Sequence, residues 1–161
     1  MIQRIQTIYL SAVIVLCCMM FIMPMAKFQI TKPGETAEYV FNLLHTVDNV
    51  TKQPVNFGNT WLITITAICM LLVSALTIFL YKQRTVQLII ARLNLYVSFI
   101  FIGMLYFFIE RELHISYGDG NANLVRLPAG YFPIVIIVLL ILAVRGIKKD
   151  EELIKSADRL R

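Results

Sequence analysis

The residues best suited to redox or metal chemistry in this chain are three cysteines and two histidines. Cys17, Cys18 and Cys69 all fall within long apolar segments and form no Cys-x-x-Cys pair. A thiol oxidoreductase needs accessible, activated cysteines, so we interpret these three as packing residues. His45 and His114 lie in two different polar segments, and neither has a spacing typical of metal ligands. The sequence therefore predicts no metal and no other cofactor.

Acid–base and phosphate chemistry also find no support in the sequence. The apolar segments contain no Asp, Glu, Lys, Arg or His, although proton-coupled transporters generally need such a group inside the membrane. No Ser/His/Asp set and no glycine-rich phosphate loop is visible. We therefore predict that the protein is not an enzyme.

The elements that must position any site are membrane helices. Of the 161 residues, 58% are hydrophobic and only 16% are charged, which lies outside the range of ordinary soluble domains. Each of four apolar segments can nearly or fully span a bilayer, where a helix satisfies its own backbone hydrogen bonds. The sequence predicts a single integral membrane domain of the all-α class, with helices at residues 7–25, 61–81, 93–109 and 127–144.

The distribution of basic residues predicts the orientation of this bundle. Ten of the fifteen Lys and Arg residues lie at the amino terminus, in the loop 82–92 or in the tail 145–161. The positive-inside rule places these parts, and so both termini, in the cytoplasm. The same rule explains the net charge of +5 more simply than nucleic-acid binding does, so membrane lipids are the predicted partners. The alternative for the first segment is a cleaved signal peptide, which needs a small residue three positions before the cleavage site. Met23 occupies that position and is large, so we predict that the first segment is a retained helix.

The two outer loops, 26–60 and 110–126, carry strand-like stretches. Phe28–Ile30 and Tyr39–Leu43 flank a turn, and a third short strand is possible around Val55–Phe57. In the second loop, His114–Tyr117 and Asn123–Leu127 flank a glycine-rich turn and predict a hairpin. Together these strands predict a small antiparallel β cap; the alternative is two irregular loops. The tail 145–161 is amphipathic and predicts an extension of the fourth helix, either solvated, on the lipid surface or docked on a partner.

Small and polar residues recur along the predicted helices and predict helix-to-helix packing. Such residues let membrane helices approach and form hydrogen bonds with each other. The candidate packing residues are Thr7, Ser11, Thr64, Ala67, Ser74, Asn94 and Ser98.

Two terminal motifs resemble a known family. The chain begins MIQRIQTIYL and ends with LAVRGIKKDEEL and SADRLR, and the loop KQRTVQ and Asn94 are also similar. These features resemble a family of small four-helix bacterial inner-membrane proteins, the domain-of-unknown-function family 4293. The resemblance implies a Gram-negative inner membrane and brings no known activity, cofactor or catalytic residue.

The polar residues of these motifs would meet at the cytoplasmic face. We expect Arg4 or Arg84 to pair with Asp150 or Asp158, within a candidate polar cluster of Gln3, Arg4, Gln6, Arg84, Gln87, Asp150, Asp158 and Arg159. This cluster is either a docking surface for another membrane or cytoplasmic protein or ordinary interfacial anchoring. The leading hypothesis is a non-catalytic accessory or scaffolding subunit. The alternative is a binder or conduit for a lipid or small apolar solute, in a cavity among Met19, Met20, Met70, Met104 and the aromatic third helix.

Overall fold

The computed structural model describes residues 3–32, 35–49, 54–55, 60–117 and 121–159. Four long helices occupy most of this length: α1 (Gln3–Ile22), α2 (Trp61–Phe79), α3 (Arg84–Tyr117) and α4 (Phe132–Arg159). All four are long and apolar enough to cross a membrane. The prediction of four apolar membrane-type helices is therefore confirmed.

The helices form an antiparallel ring in which α1 packs on α2 and α4, and α3 packs on the same two neighbours. Fully buried side chains such as Met20, Met70, Phe101 and Leu140 fill the centre. Large apolar side chains also cover the outside, where Phe79 and Phe107 are 79% and 70% exposed. A soluble protein of this size rarely shows such an apolar exterior, whereas lipid accepts it.

The helices differ from their predicted bounds where local chemistry continues or stops a helix. Helix α1 ends at Ile22, before Pro24, rather than at residue 25. Helix α3 begins at Arg84 rather than residue 93. Its 34 residues measure roughly 50 Å, against about 30 Å of hydrocarbon, so it extends well beyond any membrane core. Helix α4 follows a short 3₁₀ turn at Pro128–Tyr131 and continues past Gly146 to Arg159, so most of the predicted tail is helical.

A five-stranded antiparallel sheet covers one end of the bundle. Its strands, in chain order, are β1 (Ala26–Lys32), β2 (Glu35–Phe41), β3 (Thr46–Asp48), β4 (Pro54–Val55) and β5 (Asn121–Arg126), and their spatial order is β4-β3-β2-β1-β5. The predicted small antiparallel sheet built from both loops is therefore confirmed. The part of the third strand predicted at residues 56–57 lies outside the described residues.

The predicted hairpin within the second loop is wrong. His114–Tyr117 form the last turn of α3, and β5 pairs with β1 of the first loop instead, with Phe28 opposite Leu124. The sheet is fixed to the helices through aromatic contacts: the ring of Phe41 lies 6.5 Å from Phe28 and 5.6 Å from Phe108 of α3. Gly130 allows a close approach here, because a Cβ at this position would lie 2.8 Å from the backbone oxygen of Met25.

Candidate functional site

The end of the bundle opposite the sheet brings together three distant parts of the chain. The start of α1, the 3₁₀ turn Leu80–Lys82 between α2 and α3, and the last third of α4 all lie there. We call it the terminal end. Since antiparallel helices alternate in direction, the first and last helices of a four-helix ring necessarily begin and finish at the same end.

The terminal end contains a pocket of about 280 Å³. Helices α1, α3 and α4 contribute to its wall, together with the turn that follows α2. The lining residues are Gln6, Thr7, Ile8, Tyr81, Arg84, Gln87, Ile147 and Asp150. We refer to this cavity as the terminal pocket. It combines aliphatic side chains with two amides, a guanidinium and a carboxylate.

The most buried polar contact of the pocket joins its first and last helices. Nε2 of Gln6 donates a hydrogen bond of 2.5 Å to Oδ2 of Asp150. The two side chains are only 5% and 6% exposed. A buried carboxylate is costly without hydrogen bonds, so Gln6 contributes directly to holding Asp150 in this position. Gly146 makes room for the contact, because a Cβ there would lie 3.0 Å from Cγ of Gln6.

Gln87 and Arg84 supply the α3 side of the pocket. Gln87 is also buried, and its Nε2 donates a hydrogen bond of 3.1 Å to the backbone oxygen of Thr77 in α2. Arg84, one turn earlier on α3, is half-buried, and within the described part of the structure it has no hydrogen-bond or ion-pair partner. The predicted pairing of Arg84 with Asp150 is not formed, since the described partner of Asp150 is Gln6.

Four of the eight predicted cluster residues therefore line one cavity: Gln6, Arg84, Gln87 and Asp150. Gln3 and Arg4 lie in the first turn of α1, and Asp158 and Arg159 lie at the end of α4. The side chains of these other four lie outside the described structure.

Sequence reasoning did not assign four lining residues to this cluster: Ile8, Tyr81, Ile147 and Thr7, which it predicted as a packing residue. Threonine, isoleucine and tyrosine are common at the ends of membrane helices, so their types alone gave no signal. Their position was the available signal, because Thr7 and Ile8 directly follow Gln6, and Ile147 lies almost one helical turn before Asp150.

The predicted packing residues separate into buried and exposed groups. In the centre of the bundle, Nδ2 of Asn94 donates a 2.7 Å hydrogen bond to Oγ of Ser74, and Oγ of Ser98 donates to the backbone oxygen of Asn94 at 2.8 Å. Ala67 is buried nearby on α2, and Oγ1 of Thr64 donates to the backbone oxygen of Leu43 at 2.7 Å. Ser11 is exposed on α1 and does not take part in the buried packing. Thr7 lines the terminal pocket instead.

All three cysteines are free thiols. Cys17 is buried, whereas Cys18 and Cys69 are exposed on the outer surfaces of α1 and α2. Among the described residues, no three His, Cys, Asp or Glu side chains form a group able to hold a metal ion.

Comparison with known proteins yields one family. A search of curated proteins found no match to the chain. The sequence profile of a family described as a domain of unknown function, DUF4293, matches residues 2–160, which include every element of the fold and the whole terminal pocket. The chain therefore belongs to the DUF4293 family.

Proposed function

We propose that this chain is a non-catalytic integral membrane protein that acts as an accessory or scaffolding subunit, with the terminal pocket as its binding site. The observation that carries the proposal is the pocket itself, in which three helices bring buried polar side chains together at one end of a largely apolar bundle.

The position of the pocket fits a binding site at a membrane surface. The candidate spans begin at Ile5 in α1 and Arg84 in α3, and the span in α4 ends at Leu153. Gln6, Arg84 and Asp150 thus lie at the limits of the apolar spans, where the hydrocarbon gives way to the headgroup layer. Polar groups at this depth can meet both lipid headgroups and proteins.

The chemistry of the pocket favours recognition over catalysis. Two amides and a guanidinium keep one protonation state across the physiological range, and the carboxylate of Asp150 accepts a hydrogen bond from Gln6. These groups can therefore orient a ligand through donors and acceptors in fixed positions. The hydrogen bonds of Gln6 with Asp150 and of Gln87 with Thr77 hold the pocket walls in a fixed geometry before any ligand arrives.

The bacterial inner membrane, with both termini in the cytoplasm, belongs to the same proposal. It is supported by the excess of Lys and Arg at the terminal end and by the resemblance of the end motifs. A ligand cavity among the methionines is not part of the proposal, because Met20 and Met70 are buried in the core and Met104 packs against it.

Photo-crosslinking at the pocket rim tests this proposal. Ile8 lines the pocket and is 62% exposed, whereas Ile5 is 50% exposed on the same helix and is absent from the lining. A photoreactive amino acid at position 8, in cells expressing the full chain, should give a defined adduct that is absent at position 5 and lost on Arg84→Gln. Identical adducts at both positions would contradict a binding role for the pocket.

A further inference from the structure

Among its described lining residues, the terminal pocket has one positive and one negative side chain, Arg84 and Asp150, which do not pair with each other. Asp150 is almost fully buried and accepts a hydrogen bond from Gln6, but no described cationic side chain lies within ion-pair distance of it. Arg84 lines the same cavity without an anionic partner in the described structure. Buried or half-buried charges are expensive unless they are paired, so the cavity favours a ligand that pairs with both.

The two charges constrain the ligand. A simple anion that binds Arg84 would lie in the same small cavity as the Asp150 carboxylate and would be repelled by it. A simple cation at Asp150 would meet the corresponding repulsion from Arg84. A ligand that carries both an anion and a cation a few atoms apart compensates each charge, and the guanidinium fork favours phosphate as the anion.

The cation of the ligand also has a defined chemistry. An ionised carboxylate has several acceptor positions, and the hydrogen bond from Gln6 uses only one of them. A primary ammonium donates up to three hydrogen bonds and can bind the remaining acceptor positions of the carboxylate, whereas a quaternary ammonium donates none. A primary amine is therefore preferred over a choline-type group at Asp150.

The size and position of the cavity indicate a headgroup. Pockets for whole drug-sized ligands run from about 300 to 1,000 Å³, and the terminal pocket, at about 280 Å³, is at the lower limit. It lies at the ends of the apolar spans, and the exposed rim residues Ile8 and Tyr81 offer apolar contacts for the rest of a lipid.

We infer that the terminal pocket binds the phosphoethanolamine headgroup of a membrane phospholipid. The phosphate pairs with the guanidinium of Arg84, and the ammonium donates hydrogen bonds to the carboxylate of Asp150. Ile8 and Tyr81 contact the glycerol and the first acyl carbons. This inference rests on the proposed function in that it names the ligand of the same binding site.

Native mass spectrometry of the full-length protein in detergent tests the inference. The protein is titrated with phosphatidylethanolamine, phosphatidylcholine and phosphatidylglycerol of identical acyl chains. We expect phosphatidylethanolamine to bind about tenfold more tightly than either of the others, which corresponds to one good polar contact. Equal binding of all three lipids would overturn the inference.

Two variants with matched controls assign the two contacts. Asp150→Asn should abolish the preference for phosphatidylethanolamine, whereas Glu152→Gln, on an exposed side chain of the same helix, should leave it intact. Arg84→Gln should weaken binding of all three lipids, whereas Arg92→Gln, exposed on α3, should not. An unchanged preference in folded Asp150→Asn would overturn the assignment of the ammonium.

A competition experiment needs no variant and remains informative if the substitutions prevent folding. Soluble phosphoethanolamine should displace bound phosphatidylethanolamine from the wild-type protein, and inorganic phosphate or ethanolamine alone should do so only at much higher concentration. If inorganic phosphate competes equally well, the pocket recognises an anion and the inference fails. If the position 8 crosslink captures a protein and lipids bind without preference, the inference fails while the proposed function stands.

Discussion

At the scale of single residues, the terminal pocket depends on a glycine, because the absence of a side chain leaves space for a neighbouring helix. Gly146 lies in the middle of α4, where glycine normally weakens a helix. Its lack of a Cβ lets Gln6 of α1 pack directly against α4 and reach Asp150, about one turn further along. The cost in helix propensity is therefore offset by a polar contact between the two ends of the chain.

Alanine substitutions at two glycines separate these effects. Gly103→Ala, where a Cβ would meet no atom within 4 Å, should raise the free energy of unfolding by about 0.5–1 kcal/mol and leave lipid binding unchanged. Gly146→Ala should gain less, because Gln6 must move, and should weaken phosphatidylethanolamine binding severalfold. Fluorescence of Trp61, the single tryptophan, reports unfolding. Equal lipid binding by the two variants would contradict the role assigned to Gly146.

The amide of Asn94 gives a second prediction at this scale. Its Nδ2 has Ser74 as acceptor, and both side chains are fully buried. Ser74→Ala should lower the free energy of unfolding by about 1–2 kcal/mol, because it leaves a buried amide donor without an acceptor. The matched control is Ser11→Ala, on an exposed serine, for which we expect a change within about 0.5 kcal/mol. If the two serine variants unfold alike, the hydrogen bond contributes nothing to stability.

At the scale of elements, the sequence predicted what depends on neighbouring residues and failed where partners are distant. Apolar runs of about the length needed to span a membrane identify helices without knowledge of the rest of the chain. His114–Tyr117 look strand-like in isolation, yet they continue a helix that nothing interrupts before Gly118. The pairing of β5 with β1 joins loops separated by two membrane helices, so no local turn signal could specify it.

Paired cysteines test this long-range register. Lys27 lies opposite Val125, so K27C and V125C combined, in a background lacking Cys17, Cys18 and Cys69, should form a disulfide on mild oxidation. Opposed residues have Cα atoms about 4.5–5.5 Å apart, within the range that a disulfide bridges. K27C combined with N123C is the control, because Asn123 is opposite Gln29. Faster crosslinking of the control pair in a gel-shift assay would show that the register is different.

At the scale of the whole molecule, the sequence predicted which end of the bundle holds the site but not how the side chains of the site contact one another. The ring of four antiparallel helices brings the chain ends together, so Gln6, Arg84, Gln87 and Asp150 could be placed at one end from topology alone. Their grouping into a cavity, and the choice of Gln6 over Arg84 as partner of Asp150, depend on helix rotation and on the space at Gly146. Neither the rotation of a helix about its axis nor the space beside Gly146 follows from the order of residues.

The orientation of the whole bundle decides which leaflet the terminal pocket faces. Because most Lys and Arg residues lie at the terminal end, we predict that this end is cytoplasmic. Single cysteines at two exposed positions, V125C in β5 and E152C in α4, can be labelled in a cysteine-free background with a membrane-impermeant maleimide. In spheroplasts V125C should react at once, and E152C only after lysis.

The reverse labelling pattern would contradict this orientation and place the terminal pocket in the outer leaflet. A variant with fewer basic residues provides the control: replacing Arg145, Lys148 and Lys149 by Gln removes positive charges just beyond the apolar part of α4. Since orientation follows the charge bias near the ends of membrane helices, this variant should show mixed labelling at position 152. If the wild-type protein shows the predicted labelling pattern, the lipids available to Arg84 and Asp150 are those of the cytoplasmic leaflet, and the headgroup inference applies to that leaflet.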